Sequence, residues 1–199
     1  MTIDLFIALM TFAFVTSISP GPNNTMILAS GVNFGVRRSI PHMLGIGCGF
    51  TLMVVIVGLG LGKIFSAYPV AYTGMKIVGG AYMLWLAWKI ATAKLAEEGE
   101  AAAGAPLTFV QAALFQWVNP KGWVMSITAL SAYTVASDYR LGLITVVLTF
   151  ALLSFSSCTT WALFGMGLRH VLNDPRYFRG INIALAALLV ASLVPMLWH

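Results

Sequence analysis

The stretch SISPGPNNTMI, residues 17–27, interrupts an N-terminal segment that is otherwise apolar enough for a membrane. Two prolines, Pro20 and Pro22, flank Gly21, and two asparagines follow directly. Proline removes a backbone donor and clashes with the preceding helical turn, so this run predicts a break that leaves carbonyl groups unpaired. Within lipid, such backbone is tolerated only where it is buried in protein or lines a watery cavity. The stretch therefore predicts a broken membrane helix whose break faces a cavity.

The composition agrees with a protein that crosses the membrane several times. Of its 199 residues, 59% are hydrophobic and 9% are charged, and the mean hydropathy is +0.89. Soluble domains carry about 25% charged residues, and a chain of this length leaves no room for a second, soluble domain. The N-terminus lacks the basic region of a cleaved signal peptide, so we expect the first apolar segment to remain as a helix.

Six apolar blocks divide the chain, and about 20 such residues suffice to cross a bilayer. The blocks span roughly residues 4–33, 40–63, 70–91, 108–136, 141–168 and 178–197. The first and fourth are long, because about 30 helical residues measure about 45 Å against about 30 Å of hydrocarbon. Each contains a breaker, SPGPNN in the first and WVNPKGW, residues 117–123, in the fourth. We therefore predict an all-α integral membrane protein with six transmembrane helices, of which helices 1 and 4 are broken.

A hydrophilic linker at 92–106 separates two halves whose landmarks recur in the same order. Pro20 corresponds to Pro120, the polar turn around 35–39 to that around 137–140, and the turn around 66–69 to that around 173–176. Three helices per half is an odd number, so the second half must enter the membrane in the opposite sense. Breaks at corresponding positions of such inverted repeats are the best sequence indication of a transporter's binding site. We predict one transmembrane transporter domain over 1–199, with repeat 1 at about 1–91, repeat 2 at about 107–199, and alternating access between them.

The distribution of lysine and arginine predicts the orientation. Alternate sets of loops hold seven and two of these residues: Arg37, Arg38, Lys89, Lys94, Arg169, Arg176 and Arg179 against Lys63 and Arg140. The positive-inside rule places the richer set, with the linker, in the cytoplasm and both termini in the periplasm. Re-entrant hairpins in place of the two broken spans would divide the same residues five to four. The sharper asymmetry favours six full spans, although the sequence leaves the re-entrant alternative open.

Both breaks carry groups that suit a small ligand with a carboxylate. A helix that restarts after a break exposes N–H groups and the positive end of its dipole. Lys121 adds a cation at the second break, and a membrane-embedded lysine costs about 2.5–3.5 kcal/mol unless it is hydrated or paired. The candidate substrate-binding residues are Pro20, Gly21, Pro22, Asn23, Asn24, Gln116, Asn119, Pro120 and Lys121. The alternatives are a proline kink with capping amides and, for the lysine, snorkelling to an interface.

Two further residues are candidates for proton coupling. His42 follows the pair Arg37 and Arg38 by about one helical turn, and histidine is the side chain that titrates near neutral pH. Lys76 lies about two turns into the third block. The alternatives are an interfacial histidine and a lysine that snorkels to the outer face. Aspartate and glutamate are absent from the centres of all six blocks, so the sequence leaves the coupling ion open.

Other classes of function are disfavoured. Cys48 and Cys158 lie at similar predicted depth, as in a thiol–disulfide relay, but neither belongs to a C-x-x-C motif, and free buried thiols are the alternative. No block centre holds a His/Asp/Glu cluster, so we expect no enzyme, cofactor or metal. The net charge of +5 indicates membrane topology rather than a nucleic-acid partner. The sequence does not separate a transporter from a passive channel.

Small residues recur at a spacing that suits close helix packing in lipid. The pairs are Gly31/Gly35, Gly45/Gly49 and Gly58/Gly62. They are compatible with packing inside one protomer and with a homodimer, and the sequence leaves both open.

Several motifs together resemble the LysE/RhtB family of amino-acid exporters over nearly the whole chain. SPGPNN resembles its N-terminal signature, NPKGW its central one, GGAYMLWLAWKIA its third segment and RGINIALAALLVASL its last. Within the family, SPGPNN, WLAWKIA, TALSAY and CTTWAL are most similar to the cysteine/O-acetylserine exporter branch. The resemblance implies efflux of small neutral amino acids or related metabolites across a bacterial inner membrane. Exporters of threonine, homoserine, leucine or basic amino acids share similar motifs, but the absence of a core acid disfavours a cationic substrate.

Overall fold

The computed structural model describes residues 1–61, 69–93, 104–171 and 174–194, and this part of the chain is almost entirely helical. Its seven α-helices are α1 (Ile3–Ile18), α2 (Pro22–Ile56), α3 (Pro69–Ala91), α4 (Phe109–Val118), α5 (Pro120–Tyr133), α6 (Tyr139–Val171) and α7 (Pro175–Ala191). A π-helical turn, Val57–Leu61, continues α2, and a 3-10 turn, Ala136–Asp138, precedes α6. Most of the predicted linker, the predicted turn at 66–69 and the side chain of Lys76 lie outside the described residues.

Both predicted breaks are present, and a proline starts the helix after each of them. Pro22 is the first residue of α2 and Pro120 the first residue of α5. A missing N–H costs nothing at this position, and proline keeps the residue before it out of the helical region. Accordingly, Gly21 is extended with φ 173° and ψ 178°, and Asn119 has φ −90° and ψ 104°. Pro22 and Pro120 thus occupy the same position, the first residue of a restarted helix, whereas the sequence comparison matched Pro20 with Pro120.

Helix α2 turns back on itself at Gly35. This residue has φ 73° and ψ 171°, a conformation that favours glycine because it lacks a Cβ. Ser30 Oγ lies 2.9 Å from His42 Nδ1, although the two residues are 12 apart in sequence and a straight helix would separate them by about 18 Å. The helix therefore forms a hairpin with a first arm at 22–34 and a second arm at 36–56. Its bend coincides with the polar turn predicted around 35–39.

Glycines let the backbones of neighbouring helices approach closely. A Cβ at Gly31 would collide with the backbone of α6, and one at Gly165 with the backbone of α2. Gly45 and Gly49 lie in the same way against the backbone of α4. Because little hydrophobic driving force exists between helices in lipid, such close contact supplies the attraction. These glycines thus pack helices within one chain, which is one of the two uses that their spacing predicted.

Around the two breaks, the helices share an apolar core that is rich in aromatic side chains. Phe50 from the second arm of α2 meets Phe150 from α6 edge to face, with ring centroids 5.4 Å apart. Phe12 from α1 also meets Phe150 edge to face, with ring centroids 6.4 Å apart. The same cluster includes Trp123 from α5, so four helices around the breaks are fixed against each other.

The outer surface of the bundle carries many large apolar side chains. Large side chains such as Phe14, Trp88, Leu148 and Leu152 are more than half exposed. Contiguous surface of this kind is covered by lipid or protein in a native environment. By length and composition, two helical stretches of the described chain suffice to cross a membrane: Pro22–Gly60, which contains the bend at Gly35, and Tyr139–Arg169.

Candidate functional site

The two helix breaks meet at one cavity. The first break contributes Gly21, Asn23 and Asn24, and the second contributes Asn119, Lys121 and Gly122. The surrounding helices complete the wall with Thr16, Ser17, Ile46, Phe50, Met125, Ser154, Ser157 and Cys158. About 40 Å³ is open to the centres of water molecules, which is room for roughly three waters. The structure thus joins the two motifs that the sequence singled out, in a narrow space lined by both polar and apolar groups.

Lys121 connects the two breaks. Its Nζ donates to the carbonyl oxygen of Ser19 at 2.9 Å, to Ser19 Oγ at 2.9 Å and to the carbonyl oxygen of Pro20 at 3.3 Å. An ammonium group has three donors, and three acceptors surround this one. The sequence suggested that Lys121 lies beside helix N-termini. The structure places its side chain close to Gly21, which precedes α2, and its Nζ on the last carbonyls of α1, where the C-terminal end of a helix dipole stabilises a cation.

Side chains of the protein hold the other carbonyls that the first break frees. Asn24 Nδ2 donates to the carbonyl oxygens of Ser17 at 2.7 Å and of Ser19 at 2.8 Å. Trp161 Nε1 donates to the carbonyl oxygen of Ile18 at 3.1 Å. The end of α1 is therefore satisfied by protein groups, and water or a ligand is not required there, in contrast to what the break alone suggested.

The restarted helices present their positive ends at the cavity. Their first backbone hydrogen bonds are donated by Thr25 and Gly122. The amides ahead of these two donors, among them those of Asn23, Asn24 and Lys121, lie at the positive ends of the helices. All three residues line the cavity. At the start of α2, where the Lys121 side chain lies close to Gly21, the arrangement suits an anionic group of a ligand.

The three asparagines of the cavity differ in their partners. Asn23 and Gln116 exchange two hydrogen bonds, from Asn23 Nδ2 to Gln116 Oε1 at 2.8 Å and from Gln116 Nε2 to Asn23 Oδ1 at 3.1 Å. Asn24 holds the carbonyls of α1. Asn119 is only 2% exposed and precedes α5 without capping it, and its Oδ1 has no hydrogen-bond partner among the described residues.

The remaining predicted substrate-binding residues shape the site without lining it. Gln116 is fully buried and acts on the cavity through Asn23. Pro20, Pro22 and Pro120 set the backbone of the breaks and are not part of the cavity wall. Their contribution is therefore to the geometry of the site.

His42 lies away from the breaks and is 1% exposed. Its Nδ1 is hydrogen-bonded to Ser30 Oγ, and its Nε2 has no partner within the described ranges. The residue lines a second cavity of about 340 Å³, together with Asn33 and Gln111. His42 is thus buried inside the bundle, whereas the simplest sequence interpretation put it at the membrane interface.

The sequence interpretation missed the wall that α6 provides. Ser154, Ser157 and Cys158 line the cavity, and Ser157 Oγ donates to the carbonyl oxygen of Ser17 at 2.8 Å. The available signal was the polar run SFSSCTT inside an apolar block. Cys158 is buried on this wall while Cys48 is exposed elsewhere, so the two thiols that a redox relay would need do not share the site.

An apolar helical bundle in which two broken helices enclose one polar cavity has the architecture of a membrane transporter. A family profile described as LysE type translocator matches residues 14–193, and the chain belongs to that family. This membership confirms the resemblance drawn from the motifs and identifies a translocator rather than an enzyme family.

Curated relatives of the chain are efflux proteins. The cysteine/O-acetylserine efflux protein of Escherichia coli (strain K12) is 33% identical over 196 residues, which is 98% of this chain and 98% of the relative. Proteins of the same description from Shigella sonnei (strain Ss046) and Shigella flexneri also show 33% identity with the same coverage. No solved structure matches the chain significantly.

Proposed function

We propose that the protein exports small neutral amino acids or related metabolites, of the cysteine and O-acetylserine kind, across the bacterial inner membrane. One observation carries this proposal: two helix breaks line a single cavity that combines positive helix ends, a lysine and uncharged polar side chains. A zwitterion of neutral side chain matches these groups. The efflux relatives, at 33% identity over nearly the full length, support the same substrate class.

The cavity wall favours a short, uncharged side chain. Among the described residues that line it, none is an aspartate or glutamate that would pair with a basic side chain. Ile46, Phe50 and Met125 form an apolar wall, and Phe50 is held in place by its edge-to-face contact with Phe150. Because a single methylene in a tight pocket is worth about 1–3 kcal/mol, such a wall discriminates against larger side chains.

A panel of amino acids tests this proposal in vesicles preloaded with each compound. Cysteine and O-acetylserine should leave saturably, leucine more slowly, and lysine at the background rate of vesicles that lack the protein. Counterflow, in which external substrate accelerates exchange, separates a carrier from a passive channel. Fast lysine efflux with no efflux of cysteine or O-acetylserine would contradict the proposed substrate class.

We further propose that the bundle crosses the membrane six times as two inverted three-helix repeats. The hairpin at Gly35 supports this count, because it separates α1 with the first arm of α2 from the second arm. Helix α3 then completes the first repeat, and α4 with α5, α6 and α7 form the second. Alternating access would come from rocking one repeat against the other around the shared breaks. Proton coupling through His42 or Lys76 and assembly as a homodimer stay predictions.

The seven-to-two distribution of positive charges predicts which side of the membrane each loop faces. On a cysteine-free background, a cysteine at position Gly99 in the linker should resist an impermeant thiol reagent added to intact cells. A cysteine at position Ser137, in the turn before α6, is the matched control and should react readily. The reverse pattern of labelling would overturn the proposed orientation, with both termini then in the cytoplasm.

A further inference from the structure

Two buried polar atoms at the cavity lack a hydrogen-bond partner. Within the described ranges of the chain, three buried side-chain atoms have none: Ser17 Oγ, His42 Nε2 and Asn119 Oδ1. Ser17 and Asn119 both line the cavity between the breaks. Buried polar groups are almost always paired in native proteins, so an unpaired acceptor in a binding cavity is available to a donor that the ligand brings.

Asn119 is the clearer of the two cases. Asparagine is among the best helix-capping residues, yet Asn119 precedes α5 without a capping hydrogen bond. Only 2% of the residue is exposed. The other asparagines of the cavity are engaged, Asn23 with Gln116 and Asn24 with the carbonyls of α1. The structure therefore leaves one asparagine of this site with an unused acceptor.

The chemistry of the two atoms determines what they can bind. A carboxamide oxygen only accepts hydrogen bonds, and a hydroxyl oxygen can accept one. A carboxylate brings further acceptors and cannot satisfy Asn119 Oδ1, whereas an ammonium group brings three donors. We propose that Asn119, assisted by Ser17, binds the ammonium group of the substrate. This inference rests on the proposed function, because it assumes that the substrate is an amino acid.

The assignment orients the bound zwitterion. Its carboxylate lies toward Lys121 and the positive end of α2, and its ammonium toward Asn119 and Ser17. A neutral acceptor avoids the desolvation cost of a buried aspartate and lets the ammonium group leave again, as export requires. Two ends of opposite charge are then recognised by different residues. The cavity therefore discriminates against organic acids that lack an amino group.

The experiment compares cysteine with 3-mercaptopropionate, which is the same molecule without its amino group. Binding of each is measured on purified protein, under reducing conditions, from the rise in unfolding temperature with ligand concentration. The wild type should bind cysteine about ten- to a hundredfold more tightly than 3-mercaptopropionate. This factor corresponds to the free energy of one hydrogen bond to a charged group. In Asn119→Ala, cysteine affinity should fall by that factor while the affinity for 3-mercaptopropionate stays the same.

Asn182→Ala is the matched control, because Asn182 is equally buried but bonds to Asn33 away from the cavity. It should leave the ratio of the two affinities at the wild-type value. The inference is overturned if Asn119→Ala weakens both ligands equally, or if the wild type itself binds both equally. The comparison of the two ligands on the wild type needs no variant, so it can be made even if Asn119→Ala fails to fold. Binding of neither ligand to the wild type would instead refute the proposed amino-acid substrate, and the inference with it.

Discussion

Replacing Lys121 by glutamine should weaken the binding of carboxylate-bearing ligands by about ten- to a hundredfold while the protein still inserts into the membrane. The loss corresponds to one charge-assisted contact, worth about 1.5–3 kcal/mol. In the described structure, Lys121 Nζ is shared among the carbonyls of Ser19 and Pro20 and the Ser19 hydroxyl. The contact with Pro20 is the longest, at 3.3 Å, and a carboxylate would replace it because charged acceptors bind an ammonium more strongly than neutral ones do.

Three related thiols separate a role in binding from a role in holding α1. Lys121→Gln should lower the affinity for cysteine and 3-mercaptopropionate, which have a carboxylate, but not for cysteamine, which lacks one. Lys89→Gln is the control, since Lys89 is exposed and lies 4.3 Å from the ring centre of Trp85, outside the cavity. An equal loss for all three thiols would mean that Lys121 acts through the end of α1. If efflux by Lys121→Gln keeps the concentration dependence of the wild type, Lys121 neither binds the carboxylate nor acts through the end of α1.

The sequence was sufficient to predict the features that depend on local backbone chemistry. Pro22 and Pro120 start helices because proline cannot continue one, and Gly35 forms the hairpin because its φ of 73° favours glycine. The apolar blocks predicted a membrane bundle, and the family comparison bears out the membrane class. The residues that carry these signals lie within a few positions of the helix starts and the bend that they specify, so no knowledge of tertiary contacts was needed.

The partners of the polar side chains could not be predicted in this way. Lys121 bonds to Ser19, 102 residues earlier, and Ser157 bonds to Ser17, 140 residues earlier. Periodicity along one helix reports which face is apolar but not which helix that face meets. The sequence therefore grouped the three asparagines together as candidate substrate-binding residues, whereas packing gives each a different environment. For the same reason it did not foresee the contacts of Lys121 with the carbonyls of α1, and it overlooked the serines of α6.

Replacing Pro20, Gly21 and Pro22 together by alanine should abolish export and leave the protein in the membrane. Alanine is the best helix former, so α1 should continue directly into the first arm of α2. The new backbone amides would then take the carbonyls of the last turn of α1. Asn24, Trp161 and Lys121, which hold those carbonyls now, would lose their partners at the cavity.

The measurements for this triple variant are efflux from preloaded vesicles and the amount of protein that a membrane extract contains. Pro41→Ala is the matched control, because Pro41 is an exposed proline inside the second arm of α2 and does not line the cavity. It should retain efflux, whereas the triple variant should fall to the rate of vesicles without the protein. Persistent saturable efflux would show that the break is dispensable. A carrier that rocks two repeats around a shared site needs both breaks, because a continuous helix presents no positive helix end to a ligand within the membrane.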